Sequence, residues 1–189
     1  QPCGGAVGTE GALELVGFTG DSSPTDLHVR ADEVDGGDAE RGAGVERVDV
    51  SGNQQNVTTL FRHRPATGLE AKFSMEYAVT ILLLERKAGL EQFTDEVVNR
   101  ADVQALLRRV EFGVHPEAEA AGFDKMTTIV EVELNDGTIV KGAADFGKGS
   151  PANPMTDLDL ADKFRQCADW GGIDGGRAQT IIDLVWRID

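Results

Sequence analysis

The segment Thr67–Phe93 has the sequence TGLEAKFSMEYAVTILLLERKAGLEQF, and it predicts a loop that leads into one buried helix. Ser74 is a good N-cap for a helix that runs to about Arg86, and Glu76 lies in the first turn, where negative charge is favoured. Apolar residues cover most sides of this helix, namely Tyr77, Ala78, Ile81, Leu82 and Leu84. A helix that is apolar on most sides is buried, so we expect it at the centre of the fold.

Four further stretches predict strands: Val45–Val50, Val110–His115, Thr127–Leu134 and Thr138–Ala144. The first alternates apolar and polar residues with a period of two, which is typical of a half-buried strand. The last two flank Asn135-Asp136-Gly137, and an Asp-Gly turn between such runs is the strongest hairpin signal in the chain. Because strands come in groups, an α+β fold is favoured over a doubly wound parallel sheet. We expect a two-layer sandwich with a small, mostly antiparallel sheet of about four strands and helices packed on it.

The rest of the chain predicts helices and connections within one domain, residues 1–189. Residues 19–44 are rich in Gly, Asp and Ser and predict a long acidic loop. Residues 51–71 form a connection that Pro65 and Gly68 keep from becoming one regular element. The predicted helices cover residues 6–17 and 95–99, the stretch from Asp102 to about Arg109, a segment capped by Thr156 and closed by Gly171-Gly172, and Arg177 to about Arg187.

The charge of the chain excludes two classes of partner. The net charge is −15, from 33 acidic and 18 basic residues. Binding to DNA or RNA needs clustered positive charge, so no nucleic acid partner is expected. The same excess of acid disfavours anionic membrane surfaces, and no run approaches the ~20 apolar residues that span a bilayer. We expect a cytoplasmic protein that does not bind membranes.

The cysteines and histidines predict neither a metal site nor a disulfide framework. Cys3 and Cys167 are too few for a disulfide framework or an iron–sulfur cluster, and a reduced chain is the expectation. The three histidines, His28, His63 and His115, are dispersed and show no metal-ligand spacing. We therefore predict no metal.

The main candidate for chemistry is the start of the buried helix. Lys72 precedes the cap and Tyr77 lies about one turn inside, so an ammonium and a phenol meet the positive end of a helix dipole. This arrangement favours a carboxylate, to which Tyr77 could donate a hydrogen bond or pass a proton. The alternative is that Tyr77 is a core aromatic and Lys72 a solvated loop lysine.

Weaker candidates lie elsewhere. Arg62-His63-Arg64 could form a small cationic patch for a di- or tricarboxylate, or could be a solvent-facing loop. Pro2-Cys3 could line a pocket or be only the end of a chain. Asp145 and Asp159 are expected to be solvated surface charges. There is no phosphate-binding loop and no Gly-x-Ser-x-Gly elbow.

Four segments carry a resemblance to a known family: Pro2-Cys3-Gly4, Val45–Val50, Thr67–Phe93, and Lys148–Thr156 leading into Lys163-Phe164-Arg165. In their order and spacing they resemble the C-terminal half of MmgE/PrpD proteins over nearly the whole chain. The resemblance implies a two-domain enzyme without metal or organic cofactor, whose active site lies between a helical N-terminal domain and a smaller α+β lid. On this basis the chain is the lid, and the helical domain is absent from it.

The resemblance also implies a function and a set of site residues. It implies a catalytic role for Tyr77, with Lys72 and Ser74 near it as candidate substrate-binding residues. Cys3 and His63 are further candidate substrate-binding residues from the sequence alone. We expect the lid of a cofactor-independent lyase or isomerase that acts on a small polycarboxylate, similar to the hydro-lyase 2-methylcitrate dehydratase. The isolated chain should then be inactive. The alternative is a catalytically silent binding module or homodimerisation module, in which the final helix with Trp186 packs on a second copy.

Overall fold

The computed structural model describes residues 44–122 and 125–188. The helix predicted for residues 6–17, the site residue Cys3 and all of the acidic loop except Gly44 lie outside these ranges.

A four-stranded sheet forms one layer of the fold. Its strands are β1 (Val45–Gly52), β2 (Val110–Val114), β3 (Thr128–Leu134) and β4 (Ile139–Ala144), in the order β2-β1-β3-β4. β1 pairs with β3 and β3 with β4 in antiparallel fashion, whereas β1 and β2 run parallel. The prediction of an α+β fold with a mostly antiparallel sheet is confirmed. The parallel pair is possible because the long helical connection between β1 and β2 can cross over the sheet.

The hairpin between β3 and β4 forms at the predicted turn. Gly137 has a φ of 84°, a left-handed conformation that glycine adopts without a steric penalty. The Leu134 N–H donates to the Thr138 carbonyl at 2.8 Å and so closes the turn.

Eight α-helices lie in the described ranges. They are α1 (Gln54–Thr59), α2 (Gly68–Ala71), α3 (Met75–Glu85), α4 (Asp95–Val98), α5 (Ala101–Leu107), α6 (Pro116–Ala121), α7 (Asp157–Trp170) and α8 (Gly175–Val185), with a 3-10 turn at Leu90–Phe93. No helix in residues 44–122 and 125–188 is long and apolar enough to cross a membrane.

The predicted buried helix is α3, and every residue from Met75 to Leu84 is buried. It packs against α5 and β2, and its side chains join those of the sheet in one hydrophobic core. The helix ends at Arg86, which adopts the left-handed conformation with φ 56° and donates its N–H to the Leu82 carbonyl. The predicted extent and position of this helix are confirmed.

Side-chain caps explain where most other helices begin. Thr94 caps α4 and Thr156 caps α7, as predicted. α8 begins earlier than the predicted Arg177, because the Asp174 side chain accepts the Arg177 N–H and thereby starts the helix.

The connection over residues 51–71 is more ordered than predicted. Asn53 accepts the Asn56 N–H and starts α1, and Thr67 accepts the Glu70 N–H and starts the single turn of α2. The two helices are six and four residues long, so the connection still does not form one regular element, as predicted.

Candidate functional site

The site forms where the segment before α2 runs beside the residues that enter α3. Phe61 and Ser74 form an antiparallel bridge, and the Arg62 N–H donates to the Phe73 carbonyl at 3.1 Å. His63 follows Arg62 on one segment and Lys72 precedes Phe73 on the other, so both candidates lie on the two segments that this bridge joins.

Glu76 holds the ring of His63 at this edge. His63 Nδ1 lies 2.6 Å from Glu76 Oε1, and the side chains are 55% and 2% exposed respectively. The Ser74 hydroxyl lies 3.4 Å from Glu76 Oε2, to which it donates. Glu76 is also in the first turn of α3, where the helix dipole favours negative charge. A buried carboxylate thus anchors a half-exposed imidazole.

Basic side chains lie on the two segments that the Phe61–Ser74 bridge joins, and we call Arg62, His63, Arg64 and Lys72 the cationic edge. All four are exposed. Arg64 donates through its guanidinium to the carbonyl oxygens of His63 (2.8 Å) and Val110 (3.3 Å), which leaves its charge without a carboxylate partner among the described residues. Lys72 likewise forms no ion pair within residues 44–122 and 125–188. Besides His63, which contacts Glu76, Arg62 approaches a carboxylate, that of Glu70 at 3.9 Å.

Tyr77 lies in the core rather than on the cationic edge. Its side chain is 0% exposed. The hydroxyl donates to the Gln92 carbonyl, and the ring makes an edge contact with Phe93 at 5.4 Å and 60°. Burial raises the pKa of Tyr77 above that of a free phenol, and the Glu85 carboxylate adds to the rise while Arg100 opposes it. In this conformation the hydroxyl reaches no solvent, so a catalytic role for Tyr77 stays a prediction.

Hydrogen bonds and ion pairs hold the turn whose Gln92 carbonyl accepts the Tyr77 hydroxyl. The Gln92 amide donates to Glu85 Oε2 at 2.9 Å and accepts the Gly89 N–H at 2.9 Å. Arg100 pairs with the same Glu85 carboxylate and with Asp102. Tyr77 therefore links α3 to a turn that is held in place from its other side.

The predicted substrate-binding residues fall into three groups. The Ser74 hydroxyl accepts the Tyr77 N–H at 3.1 Å, so it caps α3 and steadies Glu76 instead of standing free for a ligand. Cys3 lies outside the described residues. Lys72 and His63 are the predicted substrate-binding residues whose side chains are exposed.

Asp145 and Asp159 are partly exposed surface charges, as expected, but each is paired with a lysine and is therefore not isolated. Lys125 pairs with Asp145 at 2.7 Å, and Lys148 pairs with Asp159 at 2.8 Å. Asp159 also accepts hydrogen bonds from Thr156, and Lys148 and Thr156 together lower the pKa of Asp159 to about 2. These pairs fix the loop that precedes α7.

Glu76 is the site residue that sequence reasoning missed. Its partner His63 is 13 residues away in the chain, and no periodicity connects a loop residue with a helix. A signal was nevertheless present, because a glutamate in the first turn of a helix that is buried on most sides must be paired. Among the described residues, no group of three or more His, Cys, Asp or Glu side chains could hold a metal ion.

Comparisons with known proteins agree with the fold. Residues 29–188 match the family model of the MmgE/PrpD C-terminal domain. The chain is 31% identical over 110 residues to the cis-aconitate decarboxylase of Mus musculus, a match that covers 58% of this chain and 22% of that protein. It is 29% identical over 134 residues to the cis-aconitate decarboxylase of Homo sapiens, covering 71% of this chain and 27% of that protein. The matched part therefore spans about a quarter of the length of these relatives.

Proposed function

Because the chain belongs to the MmgE/PrpD family as its C-terminal domain, we propose that it is the substrate-binding lid of a cofactor-independent lyase or isomerase acting on a small polycarboxylate. The relatives that it matches are named for cis-aconitate, a compound with three carboxylates. The earlier expectation of a dehydratase that acts on 2-methylcitrate, another tricarboxylate, falls within the same class of substrate.

The observation that carries this proposal is the cationic edge. The chain has a net charge of −15, and the cationic edge presents three basic side chains, Arg62, Arg64 and Lys72, in this acidic background. Lys72 and Arg64 have no carboxylate partner in the described part of the chain, and Arg64 directly follows His63 in the sequence. A di- or tricarboxylate would supply the missing negative charge through charge-assisted hydrogen bonds.

The chemistry that such a lid supports is proton abstraction next to a carboxylate. Cations on the lid neutralise the substrate carboxylates, which favours the build-up of negative charge at the adjacent carbon. Closure of the lid over the substrate would exclude water and strengthen these contacts. The base that removes the proton would come from the helical domain of the full protein, so the lid alone should not turn substrate over.

The test is a comparison of the isolated chain with a longer polypeptide that includes the upstream coding sequence. Both are assayed for decarboxylation of cis-aconitate and dehydration of 2-methylcitrate. We expect turnover by the longer protein and none by the isolated chain. Lys72→Ala in the longer protein should lower kcat/KM by roughly 10- to 100-fold, since a hydrogen bond to a charged group contributes about 1.5–3 kcal/mol. Turnover by the isolated chain, or an unchanged kcat/KM for Lys72→Ala, would contradict the proposal.

A second candidate function, a homodimerisation module, is favoured by one separate surface. A groove of about 240 Å³ opens between α7 and α8, and its lining is almost entirely apolar: Leu160, Ala161, Phe164, Ile181, Ile182, Val185 and Trp186. Trp186 is 51% exposed. Sedimentation of the chain over a range of concentrations tests this candidate. A dimer that Trp186→Ser dissociates would support it, and a monomer at all concentrations would remove it.

A further inference from the structure

The pairing of Glu76 with His63 has a consequence for the position of one proton. An ionised carboxylate only accepts hydrogen bonds, so an imidazole nitrogen 2.6 Å away must carry the hydrogen. The atom concerned is Nδ1 of His63. In the neutral ring the other nitrogen, Nε2, is then left as the acceptor.

The surroundings of Glu76 favour its role as the acceptor. The Ser74 hydroxyl uses its lone pair to accept the Tyr77 N–H, so its own hydrogen is available to Glu76 Oε2. The carboxylate is 2% exposed, and the first turn of α3 supplies the positive end of a helix dipole. These contacts all place donors around an anion.

The other face of the His63 ring is open. The side chain is 55% exposed, and Nε2 has no hydrogen-bond partner among the described residues. Arg62 and Arg64 flank His63 in the chain, and Lys72 lies on the segment that the Phe61–Ser74 bridge joins to theirs. The carboxylates of a ligand have no hydrogen to donate to Nε2, but a hydroxyl group of the same ligand has one.

We propose that Glu76 is a positioning residue, which holds His63 with the proton on Nδ1 and presents Nε2 on the cationic edge as the acceptor for a hydroxyl group of a hydroxy-polycarboxylate. This inference rests on the proposed function for the nature of the ligand, but not for the tautomer. His63 is then the lid residue that contacts the substrate through an acceptor atom, while the basic side chains bind its carboxylates. Glu76 acts on the substrate only through His63.

His115 provides an internal reference for the tautomer of His63. Nδ1 of His115 accepts the Glu117 N–H at 3.2 Å at the start of α6. A nitrogen that accepts a backbone N–H bears no hydrogen, so neutral His115 must carry its proton on Nε2. His63 and His115 are thus expected to be opposite tautomers in one molecule, whereas a ring that faces only solvent shows no such bias.

The experiment is a long-range ¹H–¹⁵N correlation spectrum of the ¹⁵N-labelled 189-residue chain, recorded above the histidine titration range. His63→Gln and His115→Gln assign the ring signals. We expect Nε2 to be the unprotonated nitrogen in His63 and the protonated nitrogen in His115. Glu76→Leu, which removes the acceptor and keeps an apolar helix, should turn His63 into a mixture of tautomers and leave His115 unchanged.

Glu76→Gln is the conservative variant, and its amide oxygen can still accept from Nδ1. Glu76→Gln should therefore keep most of the preference of His63 for the tautomer with the proton on Nδ1. An unfolded chain would not show this preference. The Glu70→Ala variant is a matched control, because Glu70 lies near Arg62 but has no contact with His63. A wild-type His63 protonated on Nε2, or a His63 signal that Glu76→Leu does not change, would overturn the positioning role.

Adding 2-methylcitrate, which carries a hydroxyl group, to the same samples separates this inference from the proposed function. A shift of the His63 Nε2 signal in wild type that is reduced in Glu76→Leu supports both. Shifts of the Lys72 and Arg64 amides without any change at Nε2 would overturn contact through His63 and keep the proposed function. If no signal responds to 2-methylcitrate while the tautomers are as expected, the proposed function fails and the positioning of His63 by Glu76 stands.

Discussion

Replacement of Tyr77 by Phe removes one hydroxyl from the core and keeps the ring. The aromatic contact with Phe93 and the buried area of the ring are retained. The Gln92 carbonyl, however, loses its donor in a buried site. Leaving a buried acceptor unsatisfied costs about 1–3 kcal/mol, so Tyr77→Phe should lower the free energy of unfolding by that amount. For a chain of this size the melting temperature should fall by about 2–4 °C for each kcal/mol.

Urea unfolding of the isolated chain measures this loss, and Thr80→Val is the matched control. Thr80 lies on the same helix, is 0% exposed, and donates its hydroxyl to the Glu76 carbonyl at 2.7 Å. That carbonyl keeps the N–H donor supplied by the helix itself, so no acceptor is orphaned. Thr80→Val should therefore cost less than Tyr77→Phe. Equal stability of Tyr77→Phe and wild type would refute the core position of this hydroxyl.

The ionisation of Tyr77 gives an independent measure, because it is the one tyrosine in the chain. Burial raises its pKa. The stability that the neutral phenol contributes is therefore fully present below the ordinary phenol pKa of about 10 and is lost as the pH rises toward the raised value. Tyrosinate absorbance should appear only as the chain unfolds in alkali. A reversible titration of the folded chain near pH 10 would show an exposed hydroxyl instead.

Two further predictions concern the elements around the site. Gly68→Ala should destabilise the chain by about 1–3 kcal/mol, since a Cβ there would lie 2.2 Å from the Phe93 carbonyl oxygen. The control is Gly113→Ala, which has nothing within 4 Å of its Cβ and should change the stability by no more than about 0.5 kcal/mol. Equal melting temperatures of the two variants would contradict the close packing of α2. Asp159→Asn should lower the melting temperature at neutral pH. This deficit should shrink as the pH falls from about 3.9, the pKa of an unfolded Asp, through the folded pKa of about 2, because wild type then loses the Lys148–Asp159 pair as well. A deficit that does not depend on pH would argue against this pair.

Local signals in the sequence were sufficient for much of the fold. Ser74, Thr94 and Thr156 each cap a helix as predicted, because a cap depends only on residues within one turn. The Asp-Gly turn fixed the β3–β4 hairpin for the same reason. The parallel pairing of β1 with β2 was beyond such signals, since it depends on how the intervening helices return the chain to the sheet.

The candidate site was predictable only in part. The exposed positions of Arg62, His63 and Arg64 fit both the expected cationic patch and the alternative of a solvent-facing loop. The bridge between Phe61 and Ser74, which joins their segment to that of Lys72, leaves no pattern in the sequence. The direction of the Tyr77 hydroxyl could not be read from helical periodicity, because α3 is buried on all sides and every direction from it is apolar. The contact with Gln92 arises from a turn formed after the helix ends.

The affinity of the chain for cis-aconitate, measured by calorimetry at fixed ionic strength, tests most directly whether the cationic edge binds carboxylates. The comparison is between wild type, Lys72→Ala and Lys141→Ala, where Lys141 is a matched exposed lysine that is already paired with Glu131 at 2.6 Å. We predict that Lys72→Ala raises the Kd by roughly tenfold or more and that Lys141→Ala leaves it unchanged, because only Lys72 contributes a charge-assisted hydrogen bond to the ligand. Equal affinities of Lys72→Ala and wild type would contradict the account.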